Sequence, residues 1–263
     1  CEVSNYLPNL TKMDITYGVN KIGMNYERML FGLKISDATA LAKCFDRTDT
    51  LTTLIMSGNM IDDDLLRMLM TGLIKNNTIT HIDMSHNKVT NHGARLLSKL
   101  LGDNSVITTL NLCDNALEVE AGRYLARGLR ENDSLLTLNL RLNRLGDDGS
   151  RLLFEGLQDN LSLTELNLSS NGAGAGAAQA MFSIIRDREH RLASLDISGN
   201  DFIAEHFELM KLSIAHNQTL IGLDMRGNPG YEEATVALEE IEKVVHTNEF
   251  YTRGKLSGNP RRL

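Results

Sequence analysis

The chain has 263 residues, with 27 Lys and Arg against 34 Asp and Glu, a net charge of −7, and no Trp. An acidic body is a poor ligand for nucleic acid, no apolar run approaches the roughly 18 residues of a membrane-spanning helix, and nothing in it resembles a secretory signal. The cysteines Cys1, Cys44 and Cys113 stand in unrelated surroundings, which implies neither a disulfide framework nor a metal site and points to a reducing, intracellular setting; a first residue other than Met points to a piece of a longer protein.

In chain order, Leu10, Met13 and Ile15 predict a first short strand, and Leu33, Ala38, Leu41 and Phe45 predict a helix. Between them the stretch Val19 to Leu30 fits neither period. From residue 51 the pattern becomes regular: Asn59, Asn87, Asn115, Asn143, Asn171, Asn200 and Asn228 recur at intervals of 28 residues, with one interval of 29. The positions eight, five and three before each Asn are Leu, Ile or Met in all seven units, for example Leu135, Leu138 and Leu140 before Asn143. At 42% hydrophobic content, that frame would arise with a chance of about 10⁻⁸.

Each unit predicts a strand, an Asn turn and a helix. Period two sends Leu138 and Leu140 inward and Thr137, Asn139 and Arg141 outward. After the turn, pairs four apart such as Leu97 and Leu101, or Leu153 and Leu157, mark one helix face. Acids and small residues at the helix starts, Asp62 to Asp64 and Gly146 to Gly149, are expected to satisfy free N–H groups. The Asn amides are expected to bridge backbone groups of adjacent turns. Such units are leucine-rich repeats of the long, ribonuclease-inhibitor-like type, which stack into an α/β solenoid with a curved parallel sheet on the concave face and helices on the convex face. The expected organisation is 1–50, degenerate repeats with an inserted segment; 51–247, seven repeats closed by a charged helix over Tyr231 to His246; and 248–263, a basic extended tail.

Residue chemistry offers no catalytic, cofactor or metal constellation. His81, His86 and His92 fall on three different faces of a repeat and cannot converge on one ion. The loop Gly172-Ala173-Gly174-Ala175-Gly176 lacks the Lys and Ser or Thr of a phosphate loop. The outward strand rows remain. Ile55, Asp83, Asn111, Asn139, Asn167, Asp196 and Asp224 stand four before each Asn, and Ser57, Ser85, Cys113, Arg141, Ser169, Ser198 and Arg226 two before. The polar members of the first row, with Arg141 and Arg226 as anchors, are the predicted partner-binding residues.

The inserted segment is more specific. Tyr17, Gly18, Val19, Asn20, Lys21, Ile22, Gly23, Met24, Asn25, Tyr26 and Glu27, followed by Leu30 and Phe31, resemble the corresponding stretch of the leucine-rich repeat subunit of the nexin-dynein regulatory complex, the T-complex-associated testis-expressed protein 1 family. The repeat Asn139-Leu140-Arg141-Leu142-Asn143 is similar to one of that family too. The resemblance implies a non-catalytic scaffold in the axoneme of cilia and flagella, within the cytoskeleton of the cytoplasm, regulating dynein-driven motility. Its implied partners are a second leucine-rich repeat subunit and coiled-coil subunits of the complex. Two other readings of such an array exist, a regulator of a small GTPase like the Ran GTPase-activating proteins and an innate-immune ligand sensor. The basic tail argues against the first, whose tail is strongly acidic. Tyr17, Asn20 and Tyr26 in the insertion, and Arg261 and Arg262 in the tail, are further expected contacts with neighbouring subunits.

Overall fold

The computed structural model describes residues 9–16, 32–187 and 189–256. Tyr17, Asn20, Tyr26, Arg261 and Arg262 lie outside them. The strands are β1 (Lys12–Asp14), β2 (Thr53–Ile55), β3 (His81–Asp83), β4 (Thr109–Asn111), β5 (Thr137–Asn139), β6 (Glu165–Asn167), β7 (Ser194–Asp196) and β8 (Gly222–Asp224). The helices between and after them are α1 (Ile35–Phe45), α2 (Asp63–Leu73), α3 (Asn91–Asp103), α4 (Val119–Glu131), α5 (Gly146–Leu157), α6 (Ala175–Arg186), α7 (Ala204–Ile214) and α8 (Thr235–Leu256). The eight strands form one parallel sheet in sequence order. At about 4.8 Å per strand the array spans about 34 Å.

Register follows the frame. Leu54, Ile82, Leu110, Leu138, Leu166, Leu195 and Leu223 are cross-strand partners in turn, and Met13 joins them opposite Leu54 across the insertion. Every inward frame residue except Leu223 is buried, as are the paired helix residues from Leu69 and Leu73 to Met210 and Ile214. Leu223 is half-buried because, among the described residues, no strand follows β8. One continuous apolar core therefore runs from Ala38 to Ile241, as stacking of units that cannot bury their own faces requires.

Two expectations need correction. The expected extended tail begins as helix, since α8 continues to Leu256. Asn248 is buried within it and donates to Asn217 O at 3.1 Å and Leu220 O at 3.0 Å, while Arg253 pairs with Glu249 at 2.6 Å one turn away. Those bonds hold the backbone helical through a stretch that has no Pro before Pro260. The acidic helix starts also act differently. Asp62 caps its own helix through Leu65 N–H at 2.9 Å, but Asp63 reaches the next repeat, accepting from Thr90 N–H at 2.9 Å and Gly93 N–H at 3.0 Å. Parallel helices stacked side by side put the free N–H groups of one within reach of its neighbour's first turn.

Candidate functional site

The Asn of each turn is a structural ladder. Asn87 Oδ1 accepts from Asn59 N–H at 3.0 Å and Ile61 N–H at 2.9 Å, and its Nδ2 donates back to Met56 O at 3.0 Å and to Met84 O at 2.9 Å. The same pattern joins Asn200 to Asn171 and Asn228 to Asn200. A second ladder, which the turn-Asn frame does not include, runs at the opposite end of the strands. Asn76, Asn104, Asn132 and Asn160 each donate to a carbonyl of the preceding repeat, Phe45, Asn76, Leu101 and Leu129 respectively. Its signal was available, because each stands 17 residues after a turn Asn. His190 takes over one rung, its Nε2 at 2.9 Å from Leu157 O and its Nδ1 accepting from Leu192 N–H at 3.2 Å. Burial pushes its pKa below 6.5.

The Gly172 to Gly176 loop is already filled. Asp147 of the preceding repeat accepts from Gly174 N–H at 2.9 Å, Gly176 N–H at 2.9 Å and Ala177 N–H at 2.8 Å. Burial pushes this carboxyl up, but the three N–H donors outweigh it and the net shift is down. An internal carboxylate sits where an external anion would have to bind. The three histidines stay apart: His81 Nδ1 meets Thr80 Oγ1 at 2.7 Å and His86 Nδ1 meets Asp114 Oδ2 at 2.8 Å, while His92 stands at the start of α3.

The concave rows are the remaining surface, and their geometry is regular. Asp83, Asn111, Asn139, Asn167, Asp196 and Asp224 are all half-buried. Each turns one side-chain oxygen onto the backbone N–H two residues on, at 2.8 to 3.1 Å. These residues therefore close the strand ends first, and only their second polar atom is available to a partner. Lateral bonds use several of those: Asn111 Nδ2 donates to Asp83 Oδ2 at 3.0 Å and Asn167 Nδ2 to Asp196 Oδ2 at 2.8 Å. The two predicted Arg anchors differ. Arg226 Nε donates to Asp224 Oδ1 at 3.0 Å, and this contact holds the Asp224 carboxyl below the usual carboxylate range. Arg141 has no such partner among the described residues. Beside it, burial pushes the Cys113 thiol up, with the Arg141 charge opposing.

Parallel strand, Asn ladder and stacked helix recur in every unit from β2 to β8, and the Leucine Rich repeat family model matches residues 75–98, 131–153 and 159–181. The chain folds as a leucine-rich repeat solenoid. It is similar to Dynein regulatory complex subunit 5 of Chlamydomonas reinhardtii, at 47% identity over 58 residues, which are 22% of this chain and 15% of that protein. The expected likeness of this repeat protein to a dynein regulatory complex subunit is thus found, over a small part of that relative's length. Among solved structures, the chain is similar to the Leiomodin-1 Actin-Binding Site 2 (ABS2) at 16% identity, over 86% of this chain and 96% of that one, with a TM-score of 0.41.

Proposed function

We propose that the chain is a non-catalytic interaction scaffold of the dynein regulatory complex, working in the axoneme of cilia and flagella. The observation that carries this is the 47% identity to a subunit of that complex. The solenoid is compatible with it, because a rigid parallel sheet offers an ordered concave surface without loops that must rearrange on binding. Its partners are other subunits of the complex, a second leucine-rich repeat protein and coiled-coil proteins. Through them it takes part in regulating dynein-driven motility. The inserted stretch with Tyr17, Asn20 and Tyr26, and the basic end with Arg261 and Arg262, add attachment points outside the concave face.

A tagged full-length protein expressed in a flagellated cell tests the reading. It should be retained in demembranated axonemes and co-purify with regulatory complex subunits. A signal extracted entirely with the soluble cytoplasm, or stimulation of GTP turnover by Ran at catalytic amounts of this protein, would sink it.

A further inference from the structure

The row of carboxylates and amides on the concave face is not uniform. Its lateral bonds run outward from the middle of the sheet: Asn111 gives its amide to Asp83 on one side and Asn167 gives its amide to Asp196 on the other. Asn139 lies between them. Its Oδ1 is fixed as an acceptor by Arg141 N–H at 3.0 Å, so its Nδ2 faces the groove, with no acceptor among the described residues. Two residues on, on the same face, the exposed Arg141 guanidinium likewise meets no acceptor there. The two carboxylates that share the surroundings of Cys113 with it are committed elsewhere. Asp83 holds Ser85 and Asn111, and Asp114 holds His86.

Arg226 shows what decides this. It occupies the frame position of Arg141, but the residue two before it is Asp224, whose carboxylate takes its guanidinium. Before Arg141 that residue is the neutral Asn139. Replacing a carboxylate by an amide frees the cation and adds a second unaccepted donor beside it.

We infer that Asn139 and Arg141 are the anchor of the concave face, and that the occupant is a protein segment placing one Asp or Glu side chain on them. The inference rests on the scaffold reading and names the chemistry of the partner. A carboxylate can accept from the planar guanidinium and from the amide together, in charge-assisted hydrogen bonds held by a rigid strand. Asp83 flanks the pair on one side and Asp196 and Asp224 on the other, so a polyanion laid along the sheet would meet repulsion at both ends. A single acid among neutral or basic residues fits the charge pattern. The exposed Leu142, with φ 57°, supplies an apolar rim next to the anchor.

The test uses the full-length protein, replacing the native copy in a flagellated cell, with Arg141→Lys and, separately, Arg226→Lys. Each puts a primary amine on the concave face, and a water-soluble carbodiimide condenses an amine only with a carboxylate in contact, releasing the reagent as its urea. Mass spectrometry of treated axonemes should find an amide bond between position 141 and an Asp or Glu of another subunit, and none between position 226 and another subunit. In parallel, Arg141→Glu should weaken axonemal retention roughly tenfold, as expected for losing one charge-assisted contact, with Arg226→Ala unchanged. A protein that enters axonemes yet gives no such bond at position 141, or is retained equally with Arg141→Glu, overturns the inference. If the unsubstituted protein never enters axonemes, the scaffold reading itself fails, and the inference falls with it.

Discussion

Asparagine suits this fold at the residue scale because one small amide carries both a donor and an acceptor, so a single side chain can join two turns of parallel backbone. His190 can replace it on one rung only while neutral. Its Nδ1 must accept from Leu192 N–H while Nε2 donates to Leu157 O, and protonation would turn the acceptor into a second donor facing an N–H. Because the folded pKa lies below 6.5, the rung is intact above the unfolded value and its contribution is lost as pH falls through the folded one. The loss is up to about 1.4 kcal/mol per pH unit in that window. Melting temperatures measured between pH 7.5 and 5 should fall more steeply for the natural chain than for His190→Asn; parallel slopes would remove His190 from the explanation. Inward and outward strand residues should also differ. Leu138 is fully buried, so Leu138→Ala should cost about 2 to 5 kcal/mol in denaturant unfolding through the cavity it leaves. Asn139→Ala should cost about 0.5 to 1.5 kcal/mol, for its single bond to Arg141 N–H.

Small residues let the convex helices approach one another at the scale of the element. A Cβ placed on Gly122 of α4 would lie 2.2 Å from the carbonyl oxygen of Gly149 in α5, and one on Gly72 of α2 would lie 1.9 Å from that of Ala42 in α1. Backbone cannot yield as a side chain does. Gly122→Ala should therefore destabilise by about 1 to 3 kcal/mol despite the better helix propensity of Ala. Gly102 in α3 is the contrasting case, since its nearest neighbour would be Glu131 Oε2 at 3.0 Å, the far end of a flexible side chain. Gly102→Ala should gain about 0.5 to 1 kcal/mol. Chemical denaturation of the two variants reads both signs, and destabilisation of both would show that helix packing is equally tight throughout.

Nearest-neighbour stacking governs the behaviour of the whole molecule. In the described part of the chain the substantial contacts between elements all join neighbouring repeats, so stability varies along the array with the quality of each interface. Helices α3, α4 and α5 pack closely through Gly128, Gly122, Gly149 and Gly156, whereas α6, α7 and α8 touch one another far less. Native-state hydrogen exchange should therefore find the amides of α7 and α8 opening at lower free energy than those of α3 to α5. Uniform protection across the array would instead mean that it opens as a single unit. The middle of the sheet, where Asn139 and Arg141 stand, is then the most rigid place on which to set a binding contact.

The repeat, its strand register and its core were legible in the sequence because a 28-residue period repeats the same local demand: a buried aliphatic at fixed places and an amide at the turn. Even Met13 found its partner Leu54 across the inserted segment, since period two alone decides which face a strand residue takes. Bonds between repeats were less legible. Nothing local distinguishes Asp62, which caps its own helix, from Asp63, which caps the next, and nothing in the isolated Gly172 to Gly176 loop reveals that Asp147 fills it. The concave row read as six equivalent polar groups from Asp83 to Asp224. Only the tertiary structure separated those that spend their second atom on a neighbour from Asn139, which does not, because that depends on the side chain one strand away, 28 or 29 residues distant along the chain.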